Sequence, residues 1–262
     1  MTRILRAFPT LLRVAVAEMV AYRAEMIIWI LTSTLPLVML ALWNAASADG
    51  PLEGFGQAEF ARYFAVTLLV RQLTGVWVLW ELNQQIRTGS LSPQLLRPMN
   101  PLWWQFAETL AAVPWRLVVL GPVLAGVAVW RPEILFVPSW SQGLGFVVSL
   151  SFALLVAWFV QCLFGSLAFW FEQSLGLFQV YFFVWALLGG YVVPLPLLPP
   201  KVAQLAAWLP FHASLGAPVE VLLGLAPVGP TLAVQGAWVL ILGLGSMVAW
   251  NAGLKRYGAV GA

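Results

Sequence analysis

The sequence predicts an all-α membrane protein with six transmembrane helices, an N-terminal interfacial helix and an outer re-entrant helical hairpin between helices five and six. Three observations carry that prediction. Of 262 residues, 61% are hydrophobic and only 9% charged, whereas a soluble domain carries about 25% charged residues. Several apolar runs approach the roughly 20 residues that a helix needs to cross the hydrocarbon core of a bilayer. The 15 tryptophans suit a chain with two membrane–water interfaces, where amphipathic rings settle.

Composition also removes several function classes. The single cysteine, Cys162, excludes an intramolecular disulfide and any multi-cysteine metal site, and it is expected as a small packing residue. The net charge of +3 is dispersed along the chain, so nucleic acid is not an expected partner. The first apolar run follows a long basic stretch and lacks the small-residue cleavage pattern of a secretory leader. No tandem or inverted repeat is visible. A single domain over residues 1–262 is expected, with an interfacial segment at 1–25, a polar loop at 83–101 and a hairpin at 194–230.

In residues 2–23, Ile4, Phe8, Leu11, Leu12, Ala15 and Met19 recur at helical spacing, with Arg6, Thr10 and Arg13 on the other side. That is the pattern of a helix lying in a membrane surface, and Pro9 is expected in the first turn of its main segment. The first span runs from Met26 to about Ala45 and should bend at Pro36. An exposed loop with Asp49, Glu53 and Glu59 leads to a second span, about Tyr63 to Leu82. Asn83 to Pro101 is the longest polar interruption. The third span is about Phe106 to Trp130 and the fourth about Gly143 to Gly165. After a turn at Glu172–Gln173 comes the fifth, about Leu175 to Val193. Eight prolines between 194 and 230 then cut the chain into pieces too short to span, which suits a re-entrant or interfacial hairpin. The sixth span is Thr231 to about Asn251.

Charge counting orients these elements. With the N-terminus inside, the inner segments hold Arg3, Arg6, Arg13, Arg23, Arg87, Arg97, Lys255 and Arg256, and the outer ones only Arg62, Arg131 and Lys201. Eight against three obeys the positive-inside rule. Both termini and the 83–101 loop are therefore expected in the cytoplasm.

No catalytic constellation is present. There is no Gly-x-x-x-x-Gly-Lys-Ser/Thr phosphate loop, and His212, the only histidine, has no second His or Cys nearby for a metal. It is expected as an interfacial or pore-rim side chain. Arg71 and Arg116 fall near mid-depth in the second and third spans, where an ionised side chain costs at least roughly 2.5–3.5 kcal/mol. One or both either line a polar pathway and touch substrate or an anionic head group, or make structural hydrogen bonds to carbonyls or to a partner subunit, and Gln161 and Gln179 are uncharged candidate partners. Gly121 and Ala125 have the spacing that permits close helix approach, and Gly189–Gly190 is placed to loosen the end of the fifth span.

The run Ile86-Arg-Thr-Gly-Ser-Leu-Ser-Pro-Gln-Leu-Leu-Arg-Pro98, followed by Asn100-Pro101-Leu102, resembles the loop after the second span in type-2 ATP-binding-cassette (ABC) exporter permeases, in particular the short six-span bacterial subgroup. Leu209-Pro210-Phe211 with Pro218 and Gly224, after the Pro194–Pro200 cluster, is similar to that subgroup's outer hairpin. The resemblance implies a permease subunit in a bacterial cytoplasmic membrane. It would pair with a second permease chain, identical or related, and with a separate ABC ATPase subunit that binds the ATP, so no cofactor is expected on this chain. It also implies that Ile86 to Pro98 holds a coupling helix. Leu91, Leu95 and Leu96 would be its apolar anchors, Gly89 and Pro93 its turning points, and Arg87 and Arg97, with Pro98 beside them, its contacts to acidic groups of the ATPase. The competing expectation is a non-transporting membrane scaffold whose loop recruits a cytoplasmic partner.

Overall fold

Apolar runs of this kind fold as helices because, away from water, a helix satisfies every backbone group within its own segment. The computed structural model describes residues 2–21, 35–171 and 174–258, and among these no strand forms. The order is α1 (Thr2–Ala21), α2 (Leu35–Ala46), α3 (Gln57–Leu73), α4 (Val78–Thr88), α5 (Leu91–Leu95), α6 (Pro101–Trp130), α7 (Trp140–Ser166), α8 (Ser174–Leu188), α9 (Pro200–Ala207), α10 (Pro210–Ala213), α11 (Gly216–Leu223) and α12 (Val228–Arg256). Among the described residues four stretches are long and apolar enough to cross a membrane, namely Gln57–Thr88, Pro101–Trp130, Trp140–Phe169 and Val228–Arg256, while α2 and α8 are shorter apolar helices. The first half of the predicted first span, Arg23 and the Glu172–Gln173 turn lie outside the described residues.

Local chemistry sets the helix ends. Asn100 caps α6, its side chain accepting from Leu102 N at 2.9 Å, with Pro101 in the first helical position where its missing N–H costs nothing. Ser139 and Gln142 form a reciprocal capping box at the start of α7. After α8, Gly190 takes φ +82° and turns the chain, and a Cβ there would collide with the Tyr63 hydroxyl.

Helix α7 is the centre of the bundle, with α12, α11 and α4 packed along it. Gln235, fully buried in α12, binds three elements together. It accepts from Ser149 Oγ at 2.7 Å and donates to the carbonyls of Ser149 at 3.1 Å and Ala213 at 2.8 Å. Among the described residues three apolar cores form, two of them large. One gathers Phe60, Tyr63, Phe64, Trp185, Tyr191 and Val219, and the other Val78, Leu82, Leu91, Trp158, Phe169 and Trp250, with Cys162 buried among them.

The bundle has two distinct ends. At one, the Ser92 and Tyr257 hydroxyls meet at 3.1 Å and Phe169 lies edge-on to Tyr257. At the other, Trp43 Nε1 donates to Val192 O at 2.9 Å, Arg62 Nε to Glu133 O at 2.7 Å and the Tyr63 hydroxyl to Gly190 O at 2.9 Å. The first will be called the Gly89 end and the second the hairpin end, because α9, α10 and α11 gather there. Helix α11 does not lie on the surface. Gly216 to Val221 are all buried, packed on α7 and α3.

Three expectations need correction. The second span is not one continuous helix from 63 to 82; it runs from 57 to 88 with a non-helical joint at 74–77, where Thr74 Oγ1 bonds Val70 O at 2.8 Å in competition with the backbone ladder. Pro9 lies inside α1 and not at its first turn. The stripe of Phe8, Leu11, Leu12 and Ala15 packs on α6, with Phe8 6.4 Å from Trp103 and 6.3 Å from Phe106, while Arg13 is exposed. Gly121 and Ala125 are exposed, and nothing in the chain comes within 4 Å of a Cβ placed on Gly121. Among the described residues no helix packs on Gly121.

Gly253 offers a test of the second core, because a Cβ there would overlap the Phe169 ring, whereas one at Gly245 would meet nothing within 4 Å. Gly253→Val is expected to destabilise the protein by about 1–3 kcal/mol through overpacking, read as a lower midpoint of thermal unfolding in detergent, with Gly245→Val unchanged.

Candidate functional site

The joint between α3 and α4 leaves backbone groups outside the ladder of either helix, with Thr74 and Val76 buried. Two side chains from other helices take up the task. Arg116, buried in the middle of α6, donates from Nη1 to Gly75 O at 2.6 Å and Gln72 O at 3.1 Å. Gly75 makes room for it, since a Cβ there would stand 3.0 Å from the same nitrogen. Gln161, from α7, uses both ends of its amide. Its Nε2 donates to Val76 O at 2.7 Å and its Oε1 accepts from Leu79 N at 3.2 Å, in the first turn of α4. Of the two roles open to Arg116 in the sequence, this geometry assigns the structural one.

Arg71 is placed differently. It ends α3 half-buried, with its guanidinium carbon 5.8 Å from the centroid of the Trp185 ring and the Tyr191 hydroxyl within hydrogen-bonding reach. A cation over an indole face gains about 0.5–2 kcal/mol. Its Nε is buried without a hydrogen-bond partner. Among the described residues neither arginine pairs with a carboxylate; the carboxylates in close contact with a basic side chain are Glu133, with Arg131, and Glu220, with His212. Gln179 stands on the exposed face of α8, and so the structure brings Gln161 to Arg116's joint and leaves Gln179 outside it.

The polar stretch after the second span is shorter than its composition suggests. Asn83 to Thr88 belong to α4, and Asn83 Nδ2 is tied to Ser174 Oγ at 2.6 Å. Gly89, at φ +76°, ends the helix in the left-handed conformation a glycine adopts freely. Pro93 is exposed within α5. The three expected anchors then separate. Leu91 and Leu95, four apart on one helix face, turn inward: Leu91 is fully buried and Leu95 half-buried against the second core. Leu96 stands 88% exposed, followed by exposed Arg97 and Pro98. Arg97, Pro98 and Asn100 form one wall of an open groove of about 270 Å³ whose other wall is Trp250 and Leu254. Arg87, Lys255 and Arg256 are exposed at this same end, whereas Arg62, Arg131 and Lys201 belong to the hairpin end.

Sequence reasoning missed one pair. His212 Nε2 and Glu220 Oε2 meet at 3.1 Å, both side chains buried. Gly216 lets them do so, because a Cβ there would overlap the imidazole. The two are eight residues apart across the break between α10 and α11, a spacing no single helix period marks. His212 is therefore a buried polar contact at the hairpin end and not a rim residue. Among the described residues no three of His, Cys, Asp and Glu come together to hold a metal ion.

Residues 27–261 match the model of a family described as ABC-2 family transporter protein. Comparisons with curated proteins and with solved structures found no match.

The joint gives a direct test. Arg116→Met and Gln161→Leu each orphan buried backbone groups and are expected to cost about 1–3 kcal/mol per group. Because both serve one joint, the double variant should depart from the sum of the two single losses, as measured by thermal unfolding of the detergent-solubilised protein.

Proposed function

The chain belongs to the ABC-2 transporter family, and from this premise we propose that it is the permease subunit of an ATP-driven exporter, moved by a separate ATPase through Leu96 and its neighbours. It is a multi-pass membrane protein, and in our reading it crosses the bacterial cytoplasmic membrane six times, α2 completing the first span and α8 forming the fifth. Both termini are cytoplasmic, α1 lies in the inner membrane surface, and α9–α11 form the outer re-entrant hairpin. Two permease chains, identical or related, enclose the pathway. ATP is bound and hydrolysed in the partner subunit, not here.

The observation that carries this reading is the side chain of Leu96. A leucine 88% exposed, next to Arg97 and on the end of a short helix whose other face is locked into the core, is a rigid apolar knob on a charged surface. That is what docking into a partner's groove requires: an apolar anchor surrounded by groups that pair with acids. The clustering of Arg87, Arg97, Lys255 and Arg256 at that end supports its cytoplasmic assignment. The burial of α11 among α3 and α7 supports a hairpin that re-enters the bundle. ATP-driven closure of an ATPase dimer would push on α5, and α5 packs on α4, so the push reaches the second span.

The test is co-purification with the phosphate-loop ATPase, followed by ATP hydrolysis and transport. Leu96→Asp should leave the permease's own melting temperature unchanged while lowering ATPase capture at least about tenfold, equivalent to 1.4 kcal/mol. Leu91→Asp should instead lower the folded yield, because it buries a charge in the core. Full capture and coupled hydrolysis with Leu96→Asp would sink the coupling role, and a complex that forms but transports nothing would favour the scaffold reading.

A further inference from the structure

We propose that Arg71 is the head-group site for an anionic amphiphile, with a carboxylate or phosphate against the guanidinium and an apolar tail along the aromatic wall beside it. This deepens the permease reading by naming a ligand class, and it rests on that reading for the ligand's transport, though not for its binding. The two arginines divide their work. Arg116 is committed through Nη1 to two carbonyls, whereas Arg71 has a buried Nε without a partner and remains half-exposed. Arg116 lies within electrostatic reach of Arg71, so two positive charges share this depth of the bundle. Among the described residues no carboxylate pairs with either.

The surroundings set the shape of what would neutralise them. Trp185 lies under the Arg71 guanidinium at 5.8 Å. Phe182 stacks on Trp185 at 5.1 Å and reaches the surface, 38% exposed, while the Tyr191 ring, whose hydroxyl is within reach of Arg71, lies 5.1 Å from Trp185 at a tilt of 40°. A cation at the inner end of an aromatic wall that opens outward recognises a charged head followed by a tail. An organic cation would gain from the rings but would meet two guanidinium charges of its own sign. The guanidinium fork also matches carboxylate and phosphate oxygens two at a time. The head group belongs either to a bilayer lipid or to a solute amphiphile, and the same chemistry recognises both.

The test uses the full chain alone, in phosphatidylcholine nanodiscs, titrated with dodecyl phosphate, with dodecyltrimethylammonium and with inorganic phosphate. Wild type should bind dodecyl phosphate in preference to the cation, and inorganic phosphate more weakly for want of a tail. Arg71→Gln should weaken dodecyl phosphate binding at least about tenfold. Arg71→Lys, which keeps the charge and loses the fork, should fall between and remains informative if Arg71→Gln folds poorly. Equal binding of both amphiphiles, or undiminished affinity in either variant, overturns the proposal. Nanodiscs containing phosphatidylglycerol separate the sources: displacement of dodecyl phosphate identifies a lipid head group, and unchanged binding identifies a solute amphiphile. No ATPase is present, so a failure here is distinct from a failure of the Leu96 coupling test.

Discussion

The hydrogen bonds that Arg116 and Gln161 make to the joint between α3 and α4 are the constraint on which the rest of the bundle depends. A break in a spanning helix is tolerated only where other groups satisfy the freed backbone, and here the carbonyls of Gln72, Gly75 and Val76 and the N–H of Leu79 are met by side chains of α6 and α7. Those bonds hold the second span against the central helix α7 and set where α4 points. Through α4 they also place Gly89, α5 and the exposed Leu96. The buried arginine, which in sequence reads as a charge in search of a counter-ion, is here a donor in search of carbonyls.

Much of the architecture is legible in the chain. The helices beginning at Pro101, Trp140 and Val228 follow from long apolar runs bounded by Asn-Pro, Ser-x-x-Gln and Pro signals, which depend only on neighbouring residues. The joint at 74–77 is not legible, because Thr74 and Gly75 carry no proline or capping signal that would mark a break, and the partners that stabilise it lie 41 and 85 positions away. The sidedness of Leu91, Leu95 and Leu96 is hidden for a different reason. A five-residue helix is too short to display a period, so which leucine faces out is decided by the core it packs on. The His212–Glu220 contact is hidden by the break between two short helices, whose relative direction no periodicity reports.

The two ends of the molecule are built on opposite plans. At the Gly89 end, basic side chains stand exposed around a short helix held only by its inner face and by the Ser92–Tyr257 contact. At the hairpin end, short helices fold back into the bundle and bury even a histidine and a glutamate. In the permease reading proposed above, a surface that meets a soluble partner and a cap over a lipid-embedded bundle impose these different demands on one chain.

The joint also bears on how the protein is made. During synthesis residues 57–88 leave the ribosome before Arg116, and well before Gln161, has been translated. Until those side chains arrive, a break at 74–77 lacks the side-chain partners it has in the folded bundle. The packing of the joint is in this sense tied to two residues encoded far downstream of it.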